Sequence, residues 1–317
     1  MRTDMTEKVS CFAKQCRFSH CQGRCGMLNC KYRGRLPKRP TAENTHFVHG
    51  GIGMRPSFQD FKRPPLVDMI IVETPTQFVT NVHNAIYDGA DAFGFQMERL
   101  KPEFRTEEML TKMFSHLGDR PLYITNYRGG YNHEMTEDER LDELKLAFRC
   151  GASLLDITGD TFDPTPGELT KNPAAIDKQK RFIDEVHEMG GQVLMSSHIY
   201  KFLPEEEVLA VALEQQSRGA DVVKFVTWSD SEEELMQNLA TTCTLKRELK
   251  VPFLFLSGGR YCRLHRAIGP YLGVCCWLCV ESYDTFSSRE QPLLRAMHNV
   301  VENLDLTVPR LLDHSDL

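Results

Sequence analysis

Five polar side chains stand within or just after apolar runs in the second half of this 317-residue chain. Lys224 lies inside the β-branched stretch Gly219-Ala-Asp-Val-Val-Lys-Phe-Val-Thr227, and His198 closes the run Gln192-Val-Leu-Met-Ser-Ser-His198. Arg266 follows the glycine turn Ser257-Gly-Gly259, and the polar loop Asp284-Thr-Phe-Ser-Ser-Arg-Glu-Gln291 carries Ser287 and Gln291. A lysine in an apolar strand is costly to bury as an ammonium, so it either points to solvent or is held uncharged as a nucleophile toward carbonyls. An amine of the second kind forms an iminium with a ketone and so makes an electron sink, while a nearby imidazole moves protons. An arginine beside them clamps a carboxylate with two parallel hydrogen bonds. Taken singly, each residue also has an ordinary reading: a solvated strand lysine, a satisfied polar histidine, a surface arginine, loop polarity. Their joint placement on successive strand ends is what favours chemistry.

The elements that must hold them alternate. Strands are expected over Val67–Val72, Ala92–Met97, Pro121–Asn126, Ser153–Ile157, Gln192–His198, the run carrying Lys224, Pro252–Leu256 and Gly273–Val280. Helices are expected over Gln77–Tyr87, Thr106–Leu117, Thr136 to Cys150, residues 174–189, Pro204–Arg218, Ser231 to Lys250, a short segment after Gly259, and Pro292–Asn303. Thr136-Glu-Asp-Glu139 and Ser231-Glu-Glu-Glu234 read as capping boxes opening two of them. The strands are apolar runs rather than alternating ones, which suits parallel strands covered on both faces. Eight strand–helix alternations predict a (β/α)8 TIM barrel of the α/β class, with chemistry at the C-terminal strand ends. A doubly wound sheet competes, but no G-x-G-x-x-G follows the first strand.

Composition bounds the rest. Residues 1–65 carry 13 Lys/Arg against four Asp/Glu, whereas the whole chain is at −6, so the remainder is strongly acidic and would repel nucleic acid. The expected organisation is a basic, Cys-rich N-terminal extension over 1–64, a barrel over 65–306 and a tail over 307–317. Cys11, Cys16, Cys21, Cys25 and Cys30 lack the paired C-x2-C knuckle of a zinc site, so metal binding, redox chemistry and a loosely ordered tail all stay open for them. No metal and no cofactor is expected in the barrel site. The charged start MRTDMTEKVSCFAKQC has no apolar leader core and no run reaches membrane-spanning length, so a cytoplasmic protein without membrane contact is expected. A homodimer is the default oligomer.

Residues 193–291 resemble the type I 3-dehydroquinate dehydratases, Schiff-base lyases of the shikimate pathway and aromatic amino-acid biosynthesis. Ser196-Ser197-His198 is similar to that family's S-x-H strand end, and Gly219-Ala-Asp-Val-Val-Lys224 to its G-A-D-x-x-K strand. Ser257-Gly-Gly-Arg-Tyr-Cys-Arg-Leu-His-Arg266 resembles S-M-G-x-x-G-x-x-S-R without its methionine and second glycine, and Ser287-Ser-Arg-Glu-Gln291 resembles the closing S-A-P-G-Q loop. The resemblance implies that Lys224 forms the Schiff base and that His198 removes the neighbouring proton and later protonates the leaving hydroxyl. Arg266 would bind the substrate carboxylate under a lid carrying Ser287 and Gln291. Three departures accompany it. The family's E-x-R pair falls on Gly94 and Gln96, with Glu98-Arg99 out of register, and an acidic D-x-E becomes Asp156-Ile-Thr158. The glutamate of E-G-G, which positions the histidine, falls on Arg128 in Tyr127-Arg128-Gly129-Gly130; Arg128 either replaces a family arginine or leaves His198 without an acidic partner. The expected function is dehydration of 3-dehydroquinate or a related cyclic keto acid. A Schiff-base lyase or aldolase on a different keto acid, or a silent barrel used for binding, are the alternatives.

Overall fold

The computed structural model describes residues 55–304, Gln59 excepted. The chain divides into two units, Met1–Gly50 and Gly51–Leu317, and the described residues fall in the second. Cys11, Cys16, Cys21, Cys25 and Cys30 lie outside the described residues.

Eight strands run parallel: β1 Leu66–Ile70, β2 Ala92–Gln96, β3 Leu122–Thr125, β4 Leu154–Thr158, β5 Gln192–His198, β6 Val222–Trp228, β7 Phe253–Gly258 and β8 Trp277–Cys279. They are ordered β7-β6-β5-β4-β3-β2-β1-β8, so β1 pairs with both β2 and β8 and the sheet curls toward closure. Between β7 and β8 the seam is bridged by the Cys275 amide donating to Phe253 O at 2.9 Å. The helices follow each strand: α1 Pro75–Tyr87, α2 Glu107–Phe114, α3 Glu137–Arg149, α4 Pro173–Glu188, α5 Glu205–Ser217, α6 Glu232–Glu248, α7 Cys262–Leu272 and α8 Leu294–Asn303. This is the (β/α)8 barrel that the alternation implied. The last strand is shorter than the apolar run suggested because Val274 and Cys275 spend their amides on Gly269 O and Phe253 O in reaching the seam.

Local chemistry sets the helix starts. Thr136 and Glu139 exchange side-chain-to-backbone bonds as a full capping box at α3, and Thr74 with Gln77 forms another at α1. At α6 only half of the expected box forms. Ser231 caps the Glu234 amide, but the Glu234 carboxylate reaches past it to the Asp230 amide at 2.7 Å. Outward strand residues meet the helices through aromatic edges: Phe95 sits 5.0 Å from Phe78 and 6.3 Å from Phe114, centroid to centroid. Each such fully buried ring contributes roughly 1.5–3 kcal/mol of transfer free energy. Residues 55–64, read from sequence as the end of the extension, pack against the barrel. Phe58 and Phe61 lie on its core, and Arg55 donates to Phe114 O and Arg120 O at 2.7 and 3.0 Å. No helix among the described residues is long and apolar enough to cross a membrane.

Candidate active site

Inward-pointing residues of β3 to β6 meet at one level of the barrel. Ser196 and Lys224 are register partners on β5 and β6, and Asp156 and Tyr123 reach the same level from β4 and β3. Lys224 Nζ donates to the hydroxyls of Tyr127 and Tyr123 at 2.7 and 2.9 Å and to Asp156 Oδ2 at 3.2 Å. Both phenols in turn donate to Asp156, Tyr127 at 2.5 Å, and Ser196 Oγ fixes the other carboxylate oxygen at 2.5 Å. The lysine side chain is 5 % exposed and the aspartate 0 %, so this is a buried ion pair with every acceptor used. Burial, with the Asp156 carboxylate close by, pushes both phenols well above their ordinary value, and both stay protonated.

A cavity of about 580 Å³ opens above this level. Lys224, His198, Arg266, Gln291, Arg128 and Gln96 all line it. The structure thus brings together six of the seven residues singled out in the sequence. Ser287 is the exception. Its hydroxyl accepts the Asp284 amide, its own amide donates to Asp284 Oδ1, each at 2.8 Å, and Ser288 takes its place on the cavity wall.

The acid missing beside His198 is supplied from elsewhere. Glu168, in the long loop between β4 and α4, accepts from His198 Nδ1 at 2.7 Å and from the His198 amide at 3.1 Å. This leaves Nε2 as the free ring nitrogen, and a carboxylate on Nδ1 makes it the basic one. The Tyr127 ring stands edge-on to the imidazole, 5.2 Å between centroids. Glu168 holds φ +52°, a left-handed conformation that costs a non-glycine residue on the order of 1 kcal/mol and persists where surrounding contacts impose it. So the expectation that His198 lacks an acidic partner is corrected. The acid comes from the Thr165-Pro-Gly-Glu168 turn in the loop after β4.

Arg128 is spoken for. Its guanidinium donates to Glu137 at 2.7 Å and to Asp160 Oδ1 at 2.8 Å, so it braces the loop after β3 rather than offering a free cation. Gly94 stands where a family glutamate would enter the barrel. A Cβ there would lie 2.3 Å from Met69 Sδ, so the methionine fills that volume and would have to shift for any larger residue. Glu98 and Arg99, out of register in sequence, nevertheless line the cavity. Gly130, at φ +62°, lets the loop after β3 lie directly on Glu98 O, where a Cβ would be 2.2 Å away. Glu98 is buried, accepts from Thr125 Oγ1 at 2.9 Å, and burial pushes its carboxyl upward toward the protonated form.

Arg266 is 6 % exposed, donates through Nε to Ser257 O at 2.6 Å, and meets Glu290 Oε2 at 3.3 Å. Glu290 Oε1 accepts the Gly259 amide at 3.0 Å. A carboxylate from the loop after β8 therefore rests on the Arg266 guanidinium. The cavity can hold an anionic ketone at a buried amine, with an oriented imidazole on the adjacent strand.

Comparison with known proteins identifies the family and the fold. The family model for type I 3-dehydroquinase matches residues 69–305. The 3-dehydroquinate dehydratase of Klebsiella pneumoniae (strain ATCC 700721 / MGH 78578) is 25% identical over 209 residues, 64% of this chain and 79% of that protein. That of Methanocaldococcus jannaschii is 24% identical over 213 residues, 66% of this chain and 85% of that one. Among solved structures, the 3-dehydroquinate dehydratase of Geobacillus kaustophilus superposes with a TM-score of 0.64 at 17% identity, covering 76% of this chain and 91% of that one. A type I enzyme from Clostridium difficile, described with covalently modified comenic acid, gives 0.63 at 18%, covering 76% and 92%. These superpositions show the shared fold.

Proposed function

This chain belongs to the type I 3-dehydroquinase family, and on that premise we propose that it dehydrates 3-dehydroquinate, or a closely related cyclic keto acid, through a Schiff base on Lys224. The observation that carries the reading is a buried Lys224 amine on the same cavity as an Nδ1-anchored His198 from the neighbouring strand. The amine condenses with the ketone to an iminium, which acidifies the adjacent C–H. His198 Nε2 takes that proton, and the C–H electrons move to the iminium nitrogen to give an enamine. The enamine electrons return to expel the β-hydroxyl, which leaves as water with the proton held by His198. Hydrolysis of the product imine frees Lys224. Arg266 orients the substrate carboxylate, Gln291 closes from the loop after β8, and Gln96 with Glu98 reads the hydroxyls in place of the family's E-x-R pair.

Incubation with 3-dehydroquinate and borohydride tests it. A reduced adduct located on Lys224 by mass spectrometry is expected; no adduct with 3-dehydroquinate or any related cyclic keto acid refutes the proposal. The volume that Met69 takes beside Gly94, together with Glu290 on Arg266, favours one further reading, a different keto acid as substrate. Adduct formation with another keto acid and none with 3-dehydroquinate selects it.

Glu290 gives a separate expectation. Any substrate carboxylate must displace it from Arg266, so Glu290→Gly should lower the KM for an anionic keto acid about threefold, the order of a partly exposed ion pair. Steady-state kinetics on the variant checks this, and an unchanged or raised KM shows that the lid carboxylate does not compete.

A further inference from the structure

Schiff-base formation needs protons moved at both nitrogen and oxygen before any elimination begins. The Lys224 ammonium must lose a proton to expose its lone pair, and the carbinolamine oxygen must gain one to leave as water. His198 is set for the later step, on the cavity wall with Nδ1 held by Glu168. Tyr127 is set for the earlier one. Its hydroxyl accepts from Lys224 Nζ at 2.7 Å and donates to Asp156 at 2.5 Å, so it lies on a continuous line from amine to carboxylate. Ser196 Oγ, at 2.5 Å from the far carboxylate oxygen, keeps Asp156 turned toward that line.

Tyr123 makes similar bonds, but its ring lines a small apolar void at the closed base of the barrel with Leu154, Leu194 and Val222. Tyr127 lines the cavity itself, where the carbinolamine oxygen must form. Resting on the Schiff-base reading above, we propose that Tyr127 is a further catalytic residue, passing protons between Lys224, Asp156 and the carbinolamine oxygen. His198 and Glu168 are thereby reserved for the elimination.

The protons and electrons balance within the cluster. Asp156 takes one ammonium proton through the phenol, and the amine lone pair attacks the carbonyl carbon as the C=O π electrons move to oxygen. A second nitrogen proton passes to that oxygen. The first proton returns from Asp156 through Tyr127, the C–O bond breaks to release water, and the nitrogen lone pair closes the iminium. Ammonium and ketone have become iminium and water, Asp156 is again a carboxylate, and no outside acid or base is used. A phenol kept protonated suits this, because it donates and accepts at once.

Rapid-quench borohydride trapping with 3-dehydroquinate tests the assignment on the full chain. Tyr127→Phe keeps the ring against His198 and should slow adduct formation about 10²-fold, the usual size of a lost acid–base group. Elimination measured from the pre-formed imine should be unchanged, a split that a general packing defect would not produce. His198→Ala should show the reverse, with adduct formed near the wild-type rate and elimination lost. Equal adduct rates in Tyr127→Phe and wild type overturn the relay alone. Wild-type protein that gives no adduct with 3-dehydroquinate or with any other cyclic keto acid overturns the Schiff-base reading and the relay with it.

Discussion

Lys224→Met is expected to abolish the borohydride adduct and to reduce turnover by about 10⁴-fold or more, the range seen when a covalent enzyme loses its nucleophile. The same change should destabilise the barrel. Asp156, fully buried, would face two phenols and a serine with no cation left, and breaking a buried pair from one side costs about 3–5 kcal/mol. These two effects are separable. Pairing Lys224→Met with Asp156→Asn removes both charges and should recover most of the stability while leaving turnover at the floor. Chemical denaturation reads the first and steady-state assay with 3-dehydroquinate the second. A double variant that regains activity along with stability would show that Lys224 serves only as a structural cation.

That double cycle also marks where sequence reasoning stopped. Lys224 drew attention because a charge inside an apolar strand demands an explanation. Asp156 in Leu154-Leu-Asp-Ile157 and Ser196 in β5 carry the same signal two strands and one strand away, and together they are the explanation. Parallel strands in a barrel bring such residues to one level, so the inward polar positions of β3 to β6 were legible as a set once the fold was inferred. The strand ends and most helix starts were legible too, because apolar runs and Ser/Thr caps are local properties. Glu168 was not. It comes from a loop with no period and reaches His198 only through a left-handed backbone turn, which no spacing rule encodes. Glu290 on Arg266 was hidden for a similar reason, since side-chain closure of a lid depends on where two loops meet in space. Gly94 was visible as a missing glutamate, but not that Met69 on the adjacent strand fills the volume beside it.

His198→Ala is expected to leave Lys224 able to form the adduct while lowering turnover about 10³-fold, within the range for loss of a general acid–base group. The argument rests on which atoms each residue touches. Lys224 Nζ has Tyr127, Tyr123 and Asp156 as partners, none of which needs the imidazole, so condensation with the ketone can proceed. The proton on the carbon beside the iminium has no such helper, and the iminium should accumulate. Glu168→Gln should fall between wild type and His198→Ala. The amide still bonds Nδ1 and the His198 amide but no longer stabilises the imidazolium that forms during proton abstraction, so a loss of about tenfold to a hundredfold is expected. Mass spectrometry of the quenched protein and initial rates distinguish these outcomes. If His198→Ala turned over at the wild-type rate, the proton would have to leave by another group, and Glu98, the buried and protonation-prone carboxyl on the same cavity wall, would be the one to replace next.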